Sequence, residues 1–188
     1  MAIVDAIVKL GGGVLRRSEC FDAALAAIHA AAASTRLLVV PGGGPFADAV
    51  RDADRRLRLT NTAAHRMAIL GMDQYAWLIA SRLADASIVG RPDEIAETVA
   101  ASRIPVLAPS AWLADADPLP HSWDVTSDSI AAWVAASVGA KRLVLIKPAG
   151  AEGPDVVDPY FSRACRDGAF GVDVVRFDRI AALPELLA

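Results

Sequence analysis

Short apolar runs, several rich in β-branched residues, recur along the chain, and longer stretches of helical character separate them. The runs Ile3–Leu10, Arg36–Val40, Ser87–Val89, Pro105–Ala108, Arg142–Lys147 and Val172–Arg176 each carry the length and composition of a buried strand. Glycine or proline stops several of them: Gly11-Gly12-Gly13 follows the first and Pro41-Gly42-Gly43-Gly44 the second. Helices are predicted over Ser18–Ala33, Phe46–Leu57, from Asn61 or Thr62 to about Leu83, and from Pro92 to about Ala101. A further helix opens at Ser127 or Asp128 and ends at Gly139, and two more cover Tyr160–Arg166 and Arg179–Leu187. Asp115–Trp123, with Pro118 and Pro120, reads as a loop, as does the Gly/Pro stretch Ala149–Pro159. Strands that alternate with helices predict an α/β chain, a three-layer α/β/α sandwich around a mainly parallel sheet.

Composition fits that picture. With 54% apolar and 22% charged residues in 188, the chain can bury a substantial core as one domain or as two joined lobes on one sheet. Much of the apolar content is alanine, which favours helices and close helix packing. A net charge of −3 gives no reason to expect a nucleic-acid or membrane partner. Cys20 and Cys165 stand far apart in no CxxC pair and read as thiols of a reducing compartment. The first ten residues lack a basic leader region, and no apolar run approaches the roughly 18 residues of a membrane span, so a cytoplasmic location is expected.

Candidate chemistry sits where strands end, since open parallel sheets bind ligands beyond the carboxyl ends of their strands. Lys9-Leu10-Gly11-Gly12-Gly13, Pro41-Gly42-Gly43-Gly44-Pro45 and Ile146-Lys147-Pro148-Ala149-Gly150 are three such ends. Glycine lets backbone N–H groups approach one anion closely, and the helix that follows turns its positive end toward it. No Gly-Lys-Ser/Thr or GxGxxG pattern follows, which disfavours a P-loop or a dinucleotide fold. Thr126-Ser127-Asp128-Ser129 reads as a helix cap, or as a carboxylate with hydroxyls that orients Lys9 and Lys147. Phosphoryl transfer needs that kind of arrangement, because positioning and cations over the transferring group do most of the work. No Cys/His/Asp/Glu spacing suggests a resident metal.

The segment Val8-Lys9-Leu10-Gly11-Gly12-Gly13 resembles the opening motif of the amino acid kinase superfamily, which includes aspartate, acetylglutamate, carbamate and uridylate kinases. Val39-Val40-Pro41-Gly42-Gly43-Gly44-Pro45-Phe46 resembles its second glycine loop, and Thr126-Ser127-Asp128-Ser129 its nucleotide-side aspartate motif. The likeness covers about 140 of 188 residues. It implies an ATP-dependent phosphotransferase, with magnesium entering alongside ATP and keeping several waters. It also implies an acceptor-side lobe of about 1–115 and a nucleotide-side lobe of about 116–188. Lys9, Asp128 and Lys147 are then catalytic, and Gly11, Gly12, Gly13, Ser127 and Ser129 hold nucleotide phosphates.

Within the family, His65-Arg66-Met67-Ala68-Ile69 with Met72-Asp73, and His121-Ser122-Trp123-Asp124, resemble the branch that converts a furan-bearing phosphate monoester to its diphosphate in methanofuran or methylofuran synthesis. The resemblance places Gly42, Gly43, Gly44, His65, Asp73, His121, Ser122 and Trp123 at the acceptor. Asp73 and Asp124 are rivals for a cationic amine on it, against a plain exposed carboxylate. His65 reads equally as a capping histidine, and Trp123 as a ring closing a loop. Arg51, Arg55, Arg56 and Arg58, among Asp48, Asp52 and Asp54, read as a solvated helix face. The family's longer nucleotide segment after the LVLI strand is reduced here to a short Lys147–Pro159 connection, from which a homo-oligomer is expected to shield the nucleotide side. Two other readings stay open: a superfamily enzyme acting on a carboxylate or a nucleotide, and a non-catalytic nucleotide-binding or scaffold subunit.

Overall fold

The structure is a computed structural model that describes residues 2–150 and 156–188; part of the loop expected over Ala149–Pro159 lies outside them. Its centre is a sheet of β1 (Ala6–Leu10), β2 (Leu37–Pro41), β3 (Ala86–Val89), β4 (Ile104–Leu107), β5 (Arg142–Lys147) and β6 (Gly171–Arg176). All neighbours pair in parallel, in the order β3-β4-β2-β1-β5-β6. The chain starts in the middle, builds outward through β2, and then returns to place β5 on the other side of β1. The crevice between β1 and β5 is therefore the sheet's topological switch point.

Side chains alternate between the two faces of a strand, so each face acquires its own core. On one face Ala6, Val8, Leu10, Val39, Val144 and Ile146 pack against α1 (Ser18–Ala32), the later turns of α3 (Asn61–Ala80), and α8 (Leu183–Leu187). On the other, Ile7, Leu38, Val40, Leu143 and Leu145 meet α4 (Pro92–Ala100), α5 (Ser110–Ala116), α6 (Ser127–Val138), α7 (Phe161–Ala164) and the earlier turns of α3. Ala131, Ala132 and Ala135 of α6 are wholly buried, which lets that helix lie close on β1 and β5. The expected three-layer sandwich is the observed one.

Three differences from the sequence reading have local causes. Helix α5 occupies residues 110–114, which the sequence left unassigned, and takes in Asp115 and Ala116, which were expected in a loop; its first N–H, that of Ser110, donates to Asp73 Oδ1 at 3.1 Å, a partner remote in sequence. Thr60, not Asn61 or Thr62, caps α3 by accepting from Ala63 N–H at 3.2 Å. The single closing helix is instead a 3₁₀ segment, Phe177–Ala182, followed by α8, because Pro184 lacks an N–H and suits only a helix's first turn. Among the described residues no helix is long and apolar enough to cross a membrane.

Candidate active site

Lys9 lies on the same face of β1 as Ile7, and Lys147 on the same face of β5 as Leu143 and Leu145. Register sets Leu10 beside Ile146, so both lysines leave the adjacent ends of two neighbouring strands on one side. That side is the one covered by α6, whose first turn carries Asp128. Lys147 Nζ donates to Asp128 Oδ2 at 2.6 Å. Lys9 Nζ stands 2.8 Å from Asp128 Oδ1 and forms an ion pair with it. Lys9 and Asp128 are each 4% exposed.

Burial alone would push the Asp128 carboxyl up, but Lys9 and Lys147 outweigh it and hold the group below the usual carboxylate range. Burial, helped by the charge of Lys9, holds the Lys147 ammonium below its ordinary value against the pull of Asp128. Two ammonium groups thus share the Asp128 carboxylate in a largely desolvated place, which suits their charges to an anion brought into the cavity.

The two glycine loops meet across this crevice. Gly42 N–H donates to Leu10 O at 2.8 Å, which ties the second loop to the end of β1. Gly12 packs against Gly44 so closely that a Cβ on Gly12 would lie 2.5 Å from Gly44 N. Gly44 has φ +53, a conformation glycine adopts without strain, and it opens α2 (Gly44–Leu57) with Pro45 in the first turn. The positive end of α2 therefore points into the crevice.

Lys9, Lys147, Asp128, Gly12, Gly13, Gly43 and Gly44 line one cavity of about 380 Å³. Ser127, His65 and Trp123 complete its wall, together with Arg16, Asp48 and Arg51. Gly11 and Gly42 sit behind it, with Gly11 N–H donating to Ile146 O at 3.3 Å. Ser129 is wholly buried behind Asp128.

The remaining expected residues are held elsewhere. Asp73 is not among the residues that line the cavity, and its Oδ1 accepts from Ser110 N–H at the start of α5. His121 and Ser122 also lie outside the lining: His121 bonds Thr62 Oγ1 at 2.9 Å and Asp117 Oδ1 at 2.8 Å, and Ser122 Oγ accepts from Asp124 N–H at 3.1 Å. The His121 ring stacks on that of His65, centroid to centroid at 4.5 Å. Trp123 Nε1 donates to Asp54 Oδ2 at 2.7 Å, and the Arg51 guanidinium lies 4.7 Å above its ring. The α2 charge run is thus more than a solvated face: Asp54 and Arg51 fix Trp123 from one side.

His65 yields a stability prediction. Burial, then the neighbouring His121, lowers its pKa to about 4. The unfolded chain, with a histidine near 6.5, takes up the proton first as pH falls, so stability is lost between about 6.5 and 4. After allowance for partial exposure the loss is roughly 1–2 kcal/mol. Urea unfolding at both ends of that window should show it, and His65→Gln should flatten it; an equal slope in the variant would refute the assignment.

The sequence reading gave Asp158 no role, and it is 8% exposed. Its Oδ2 accepts from Thr126 N–H at 2.9 Å, Thr126 Oγ1 at 2.8 Å and Ser129 N–H at 3.0 Å, and its Oδ1 accepts from Ser129 Oγ. The one signal for it was an Asp-Pro pair at the end of a Gly/Pro loop.

A parallel sheet whose switch point carries a lysine–aspartate–lysine centre beneath two touching glycine loops defines a phosphate-handling α/β protein. The chain belongs to the amino acid kinase family, whose model matches residues 6–149. It is 29% identical over 142 residues to the [5-(aminomethyl)furan-3-yl]methyl phosphate kinase of Methanocaldococcus jannaschii, covering 74% of this chain and 63% of that protein. The chain therefore spans less than two thirds of that relative's length. Its fold matches a UMP kinase from Ureaplasma parvum with a TM-score of 0.69 at 14% identity, over 96% of this chain and 93% of the other. It also matches a uridylate kinase from Archaeoglobus fulgidus with a TM-score of 0.60 at 22% identity, over 76% and 62%.

Proposed function

We propose that the protein is an ATP-dependent kinase whose acceptor is the phosphate group of a small monoester. The observation that carries this reading is the pair Lys9 and Lys147, bridged by Asp128 at the switch point and facing the joined glycine loops. An acceptor phosphate oxygen attacks the γ-phosphorus of ATP, the bond to the β-phosphate oxygen breaks, ADP leaves, and the acceptor becomes a diphosphate. The two ammonium groups neutralise charge on the transferring group, and backbone N–H groups of Gly12, Gly13, Gly43 and Gly44 position the phosphates on either side. A phosphate acceptor is already ionised near neutral pH, so no general base is required. Magnesium accompanies ATP and screens its phosphates; among the described residues no cluster of ligands offers it a resident site.

The relative's name supports a specific acceptor, [5-(aminomethyl)furan-3-yl]methyl phosphate, in methanofuran or methylofuran synthesis. In the same proposal the acceptor binds toward the lobe of about residues 1–115 and ATP toward about 116–188, in the cytoplasm. Incubation with ATP, magnesium and a panel of phosphate monoesters, carboxylates and nucleotides should yield ADP and a diphosphate, best from the furan phosphate. Exclusive transfer to a carboxylate or nucleotide would replace this reading, and transfer to nothing would favour a scaffold subunit.

A homo-oligomer belongs to the same proposal. Met67, Leu70 and Trp77 lie 39%, 52% and 65% exposed along one side of α3, an apolar stripe that a second copy would cover. Sedimentation should give a mass above that of one chain, and a monomer with full turnover would refute this part.

A further inference from the structure

We propose that Asp158 is a positioning residue of the lysine centre: by gripping the first turn of α6 it fixes Asp128 between Lys9 and Lys147. The proposal rests on the kinase reading for its catalytic meaning, while its geometry stands alone.

The first N–H groups of a helix have no partner within it and are satisfied by a cap. Thr126 caps α6 only weakly, since its Oγ1 lies 3.4 Å from Asp128 N. The work passes to Asp158, which takes the N–H and hydroxyl of both Thr126 and Ser129. Those two residues bracket Ser127 and Asp128, so one buried carboxylate clamps the turn on both sides of the catalytic aspartate. Tyr160 N–H donates to Asp124 O at 3.2 Å, a second tie from the same segment to the approach of α6. Asp158 lies beyond residues 6–149, which match the family model, so the centre is secured by a part of the chain outside that match.

A second effect separates positioning from mere capping. The charged groups that face the Lys147 ammonium are Asp128 on α6, Lys9 on β1 and Asp158 ahead of α7. Burial and Lys9 oppose its positive charge, and the two aspartates support it. Neutralising Asp158 while keeping its shape should make Lys147 lose its proton more readily.

The chain has three lysines, Lys9, Lys141 and Lys147, so lysine labelled with ¹³C at Cε gives a spectrum in which Lys147→Arg identifies one signal. In Asp158→Asn the titration midpoint of Lys147 should fall below that of the parent, with Lys141 unmoved. Turnover should fall by roughly tenfold to a hundredfold at a near-constant KM for ATP. A folded variant whose Lys147 titrates as in the parent would overturn the proposal. If Asp158→Asn does not fold, Asp158→Glu decides, because its extra methylene displaces the clamp. Shifted Lys9 and Lys147 signals beside an unchanged Lys141 support the proposal, and three unchanged signals overturn it. A parent protein that transfers phosphate to no acceptor would end the kinase reading and leave the spectroscopic test standing.

Discussion

Lys9→Ala is expected to lower kcat by about a hundred- to a thousandfold, equivalent to about 2.7–4 kcal/mol, with the acceptor KM changed far less. A contact made chiefly with charge that develops in the transition state has this signature when removed. The size follows from the surroundings. Lys9 is 4% exposed, so water does little to screen its charge, and no other described lysine except Lys147 lines the cavity. Without Lys9, Asp128 and Lys147 form a closed pair, and one of the two ammonium groups that would meet the transferring charge is gone. Lys147→Ala should act alike, and the double variant should lose less than the product of the single losses, because both side chains share one carboxylate. Folding should survive either single change, as Asp128 keeps one partner. Near-normal turnover in purified, folded Lys9→Ala would refute the role.

Gly12→Ala is the second large effect, and it should strike folding and turnover together. The new Cβ would meet Gly44 N and Cα, backbone atoms that cannot rotate aside. One loop must move, and with it the end of β1 or the start of α2. Overpacking of this kind costs about 1–3 kcal/mol, or roughly 2–12 °C in Tm for a chain of this size. Displacement of a phosphate-binding loop by about 1 Å costs roughly a hundredfold in rate. Gly171→Ala is the control, since its Cβ would meet nothing within 4 Å and its turnover and Tm should match the parent. A Gly12→Ala protein with the parent's Tm and rate would mean that the loops do not touch in solution.

What could be read from the sequence was what local spacing encodes. The ends of two apolar strands marked Lys9 and Lys147, and the Thr-Ser-Asp-Ser stretch marked the start of α6, so the three central groups were all legible. Asp158 was not, because its four bonds reach back to Thr126 and Ser129 across a strand and a loop. The partner of Asp73 was hidden for the same reason: Ser110 N–H belongs to a helix with no local cap to announce it. Arg51 and Asp54 looked like any solvated charge run until Trp123, far along the chain, was seen to rest on them.

The position of β1 also sets an order of events during folding. The strand precedes the other five in sequence yet lies in the interior, and its second neighbour, β5, is synthesised only after β2, β3 and β4. Until then one backbone edge of the apolar strand β1 stays open to pairing with other chains. Closing so long a loop is slow, and the late insertion of β5 beside β1 is the natural rate-limiting step. The same step brings Lys147 to Lys9, so a single long-range strand pairing assembles the lysine–aspartate–lysine centre, and a chain stalled before it would lack that centre and be prone to aggregate.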